Sequence, residues 1–185
     1  MAATVTIRRW TGASGSPTRT DITSANTVAN AVDSHQATAS GSTNPIKIPA
    51  AGTNRSFWVC TRLSVDVAPS GTIDNIRWHG DGANNFGTGV GAVVSKASSY
   101  VQATGMTGST GDALNTTNYG STLSPTTPAA FTMYTSGSPL AVTGSVTTMT
   151  QTALGSLVVY QLTVTMGASA GTTAQETFTW LFDET

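Results

Sequence analysis

Charge is scarce in this 185-residue chain: Asp, Glu, Lys and Arg make up 9% of it, where soluble domains carry about 25%. Histidine occurs only at His35 and His79, and cysteine only at Cys60. A lone cysteine excludes an internal disulfide, so stability has to come from a packed core. Two imidazoles and few carboxylates leave little for acid/base chemistry, because a Ser or Thr hydroxyl becomes a nucleophile only beside a base. The net charge is −1 and no Lys/Arg cluster extends beyond Arg8-Arg9, which argues against nucleic acid as a partner, since its binders need a basic stripe. No segment approaches the ~18 apolar residues of a membrane span, and residues 1–20 hold Arg8, Arg9 and Arg19 without an apolar run of signal-peptide length. The expectation is a soluble chain made in the cytosol, with no membrane partner.

What the chain has in abundance is Ser and Thr, together roughly 30% of it. These groups hydrogen-bond and line pleated surfaces at a lower desolvation cost than charges. Leu, Ile, Val and Phe supply about 18%, which with so small a net charge indicates a modest core with long polar loops, not disorder. Charge is uneven: residues 1–83 carry seven Lys/Arg against five Asp, whereas residues 84–185 carry Lys96 against Asp112, Glu176, Asp183 and Glu184.

Period-two alternation is the main structural signal. It sets Phe57, Val59, Leu63, Val65 and Val67 on one face of a strand, with Arg62, Ser64 and Asp66 on the other. A second strand places Val158, Tyr160, Leu162, Val164 and Met166 inward against Gln161, Thr163 and Thr165. A third places Phe178, Trp180 and Phe182 inward. Weaker strands are expected at Val5 to Trp10, Ile46 to Ile48, Thr72 to Trp78, Gly91 to Val101, Ala130 to Tyr134 and Ala141 to Thr148. Turn-rich Gly/Pro/Asn/Asp punctuation between them predicts an all-β fold, an antiparallel β-sandwich or jelly roll of about eight strands with long Gly/Ser/Thr loops. A short helical turn is expected over Ser24 to Ser34, capped by Asp21 or Ser24. Two stretches are low in complexity, Thr11 to Thr20 and Ala103 to Ala129; Met1 to Thr20 is expected to be an extended N-terminal arm, and Ala103 to Ala129 a long loop of one domain spanning residues 21–185. Both have too few apolar side chains to order themselves and are expected to be fixed on a partner.

Arg77-Trp78-His79-Gly80-Asp81-Gly82 is the densest chemical cluster. His79 and Asp81 are weak metal candidates, because a structural site needs four ligands; the plainer reading is a strand end followed by a turn in which Asp81 bonds its own backbone. Gly87-Thr88-Gly89-Val90-Gly91-Ala92 matches the loose dinucleotide fingerprint but lacks an apolar strand before it and a helix after it, so no cofactor is expected. Cys60 reads as a reduced, packed thiol. Trp10, Trp58, Trp78 and Trp180 either stack on sugars or fill the core, and the alternation favours the core for Trp180. No catalytic residue is assigned, and the chain is expected not to be an enzyme.

The strand Arg55 to Leu63, the stretch Ala68 to Trp78 and the ending Glu176 to Thr185 together resemble small β-sandwich virion structural proteins of tailed bacteriophages, over about a third of the chain. The resemblance implies a non-catalytic virion component, a capsid decoration (cement-like) protein whose partners are the major capsid protein and copies of itself. It carries over no site residues. The long uncharged loops also suit a tail- or fibre-associated role. Two other readings have their own requirements: a carbohydrate- or receptor-binding module needs Trp10, Trp78 or Tyr119 exposed on a concave face, and a hydrolase needs His79 and Asp81 converging with a Ser or Cys.

Overall fold

A computed structural model describes residues 2–38, 44–102, 119, 123–145 and 152–185. Among the described residues ten strands run in chain order: β1 Thr4–Thr11, β2 Thr18–Asp21, β3 Thr53–Arg55, β4 Val59–Val67, β5 Ile73–His79, β6 Val90–Ala97, β7 Leu123–Ala130, β8 Leu140–Ala141, β9 Thr152–Thr165 and β10 Thr179–Glu184. They form two antiparallel sheets. The larger has the order β2-β1-β4-β9-β6-β7, with β3 also paired to β9; the smaller has the order β10-β5-β8. The fold is an all-β sandwich, and no α-helix occurs among the described residues.

The long strand β9 is the spine, because β4, β6 and β3 all pair with it. Its alternation is apolar on both faces. Leu154, Val158, Tyr160, Leu162 and Val164 join Val59, Leu63 and Val65 of β4 and Ile73, Ile76 and Trp78 of β5 in the core between the sheets, against which Phe178, Trp180 and Phe182 pack. Leu157 and Val159 face the opposite way, into a second cluster with Trp10, Trp58, Cys60, Tyr100, Tyr119 and Leu123. A strand buried on both faces reads as a continuous apolar run, as Leu154 to Leu162 does apart from Gly155, Ser156 and Gln161. Between Thr61 and Leu63 the β4–β9 register breaks, with Thr61 opposite Val158 and Leu63 opposite Leu154. The extra residues bulge towards residue 143, where Ser156 N donates to Thr143 O at 2.8 Å. Gly155 sits in that bulge at φ +71°, where an added Cβ would strike the Thr143 carbonyl.

Several expectations are corrected. Residues 1–20 are not a free arm: β1 lies inside the larger sheet between β2 and β4, pairing Ile7 with Leu63 and Trp10 with Arg19. Part of the expected loop Ala103 to Ala129 is strand β7, paired to β6; Pro125 and Pro128, which lack an N–H, suit its place at the sheet edge. Residues 103–118 and 120–122 of that loop lie outside the described residues. Of Ala130 to Tyr134 only Ala130 is in a strand, as the end of β7, and Phe131–Met133 forms a 3-10 turn. Ile46 to Ile48 is irregular, and of Ala141 to Thr148 only Ala141 is in a strand, with residues 146–150 outside the described residues. Ser24 to Ser34 forms no helix, because its amides bond distant carbonyls: Val28 N to Gln36 O and Ala31 N to Asn44 O. Met166 is 67% exposed, since β9 ends at Thr165 and the chain turns there. Val67 is also exposed. Phe57 precedes β4, escapes its alternation, and packs with the second cluster.

Candidate functional site

The sequence-predicted cluster at His79 and Asp81 lies where β5 runs into a turn. His79 Nδ1 is 2.8 Å from the Gly80 carbonyl. Asp81 Oδ1 accepts from Ala83 N at 2.8 Å and Oδ2 from the Asn85 amide at 3.2 Å, so Asp81 closes an Asx turn on its own backbone. The structure does not bring His79 and Asp81 together in an ion pair, and no three His, Cys, Asp or Glu side chains among the described residues are placed to hold a metal ion. Gly87 and Gly89 take positive φ in a turn that leads directly into β6, so no helix N-terminus follows to receive a pyrophosphate.

Cys60 is buried, with Sγ 3.6 Å from the Tyr119 hydroxyl. Burial pushes its thiol up to about 12, the opposite of what a nucleophilic thiol needs. Trp10, Trp78 and Tyr119 are 7%, 1% and 3% exposed. None offers the open ring face that a sugar stacks on, which removes the support those three residues would lend a carbohydrate-binding reading.

What the sequence did not point to is a cleft of about 530 Å³ where the two sheets part on their β1 and β10 sides. Ile7, Thr61, Tyr160 and Leu162 of the larger sheet and Trp78 and Trp180 of the smaller one form its floor. One wall is the irregular chain from Ile22 to Ala29; the other is the chain from Thr172 to Phe178. Phe178 anchors the second wall: its ring lies 4.9 Å from that of Trp78, 5.1 Å from Tyr160 and 5.7 Å from Phe131. Aromatic centroid separations of 4.5–7 Å are stabilising, so the rings fasten the two sheets at the cleft's base. At the other end, Ala3 N donates to the Glu184 carboxylate at 3.0 Å, which ties the start of β1 to the end of β10.

The cleft's chemistry is nearly neutral. Its one acidic lining residue among the described residues, Glu176, is bonded to the backbone and side-chain amides of Asn85. Burial raises the Tyr160 phenol to about 12, partly offset by Arg9. Arg9 lies beneath the wall, fully buried, with Nη1 donating to Thr27 Oγ1 at 2.6 Å and to the Val28 carbonyl at 2.8 Å. Desolvation holds its pKa below the usual arginine value.

The walls differ in how their backbone is satisfied. Ile22 to Ala29 is held by Ile22 N to Ile7 O, Ala25 N to Ile22 O and Val28 N to Gln36 O. Residues 169–178 make no backbone–backbone hydrogen bond to another described residue. They lead into β10, which is itself the edge of the smaller sheet. A chain whose amides and carbonyls pair with no other described backbone, lying beside an aromatic floor, is a template for a further strand.

Comparison with protein-family models, curated proteins and solved structures found no match. The site therefore rests on its own geometry.

Proposed function

We propose that this chain is a non-enzymatic structural protein of a virus particle, a capsid decoration protein that holds neighbouring capsid subunits, made in the host cytoplasm and resident in the virion. The observation that carries the proposal is the unpaired edge formed by residues 169–178 and β10 above the aromatic cleft. Backbone groups left open beside apolar surface are the means by which an extended segment of a neighbour adds to a sheet, with main-chain bonds giving affinity and the pockets giving selectivity. The reading also agrees with the fate of the reactive side chains. Asp81 is committed to a turn, and Cys60 is buried and protonated.

The edge gives the test. Thr173 and Gln175 have no hydrogen bond to other described residues, so Thr173→Pro with Gln175→Pro removes two unpaired N–H donors of this segment while leaving the core rings in place. Occupancy of this subunit on purified particles should fall sharply while its melting temperature stays near that of the parent. Full occupancy by a folded double variant would overturn the edge as the contact.

A further inference from the structure

The outer face of β2, β1 and β4 gathers three of the seven cations of residues 1–83, Arg8, Arg19 and Arg62. Register places Arg19 of β2 and Cys60 of β4 on either side of Trp10, and Asp21 and Arg62 on either side of Arg8, one pleat along. Arg8, Trp10, Arg62 and Asp66 thus share one face. Arg19 stacks on the Trp10 indole with its guanidinium carbon 4.3 Å from the ring centroid, and Arg62 approaches the same ring at 5.7 Å.

The carboxylates on this face are spent elsewhere. Asp66 receives Arg8 at 2.7 Å on one oxygen and the Thr6 hydroxyl at 2.8 Å on the other. Asp21 accepts the amide and hydroxyl of Thr23. Arg19 and Arg62 have no carboxylate within ion-pair distance among the described residues, and Arg62 Nε is buried without a hydrogen-bond partner. The pKa of Arg62 is lowered by burial and by repulsion from Arg19. Two guanidiniums are therefore held near one indole with their charge uncompensated, beside a hollow of about 70 Å³ lined by Arg8, Arg19, Trp10, Ser64 and Asp66.

We propose that this hollow is an oxyanion site that receives one carboxylate, the side chain of an Asp or Glu on a neighbouring protein chain. Stacking pre-orients an arginine fork while leaving its N–H groups free for a planar acceptor. The Arg8–Asp66 pair in the same hollow already shows a carboxylate held by this surface. Asp66 compensates Arg8, which leaves Arg19 as the uncompensated cation among the described residues that line the hollow, a charge that one monoanion neutralises. The proposal stands on this geometry alone and does not depend on a virion role.

The test is a titration of the intact chain, followed by NMR at the Trp10 indole N–H and the Arg19 and Arg62 Nε–H. The probes are an amide-capped Ala-Glu-Ala peptide, sodium acetate and sodium phosphate, at constant ionic strength set with chloride. The expected result is a saturable shift with the peptide, weaker with acetate and no tighter with phosphate than with the peptide. Affinity for the peptide should drop about tenfold in Arg19→Gln, as expected for loss of one charge-assisted hydrogen bond, and further in Arg19→Gln with Arg62→Gln. Arg19 is exposed, so the single variant keeps the fold. An absent or non-saturating shift, or equal affinity in Arg19→Gln, would overturn the site. Tighter binding of phosphate, or acetate binding as well as the peptide, would overturn the assignment to a partner's side chain.

Discussion

Truncating Phe178 to Ala removes the ring that joins three others across the base of the cleft: Trp78 of the smaller sheet, Tyr160 of the larger one and Phe131 of the intervening turn. A fully buried Phe→Ala change costs about 3–5 kcal/mol. Phe178 is half-buried, and the vacated space opens into the cleft, where water enters instead of leaving a sealed void. The expected cost is therefore below that range, about 2–3 kcal/mol. For a domain of this size each kcal/mol moves the melting temperature by about 2–4 °C, so the fall should be roughly 4–12 °C. Differential scanning calorimetry reads the shift, and near-ultraviolet circular dichroism should lose part of the coupled aromatic signal. Met133→Ala is the control, because Met133 is 66% exposed and should change stability by less than about 0.5 kcal/mol. A Phe178→Ala protein that melts within about 2 °C of the parent would refute the idea that these rings fasten the sheets.

Leu162→Ala should cost about 2–5 kcal/mol while Met166→Ala costs under about 0.5 by chemical denaturation; similar losses would place both side chains on the same face after all. Gly155→Ala should destabilise by more than about 2 kcal/mol, since the bulge needs positive φ and the Cβ meets the Thr143 carbonyl; a parent-like melt would contradict the bulge. Cys60 should resist a thiol reagent at pH 8 in the native state and react after denaturation, and rapid native labelling would show it to be open. Stability should also fall with rising alkalinity: the unfolded thiol and phenol ionise near their ordinary values of 9.0 and 10.0, whereas Cys60 and Tyr160 stay protonated in the fold until about 12. Above pH 9 the folded state then holds more protons than the unfolded one, so stability drops as pH climbs towards 12; a flat alkaline profile would contradict this burial.

The strands that alternate large apolar residues were legible from sequence, because period two with Leu63, Val65, Leu162 and Trp180 admits few other arrangements. β2 and β3 were not, since Thr18–Asp21 and Thr53–Arg55 carry no apolar alternation and exist through pairing with β1 and β9. β7 hid in the same way inside a Ser/Thr/Pro tract. The second apolar cluster was foreshadowed by Trp58 and Cys60 on the face opposite Val59, but burial of β9 on both faces needs knowledge of what covers it. The cleft had no signature at all. It arises from where two sheets diverge, and its walls come from segments more than a hundred residues apart. Arg9, the fully buried charged residue among the described residues, reads in sequence as half of a surface Arg8-Arg9 pair; only the pleat separates them, sending Arg8 outward to Asp66 and Arg9 inward to Thr27.

A virion role requires that the chain be part of a particle. Quantitative mass spectrometry of particles purified from the genome that encodes the chain measures this directly. A decoration protein predicts recovery in a fixed ratio to the major capsid protein, retained through density-gradient purification. Absence from particles, in cells where the folded chain is abundant, would contradict the assignment.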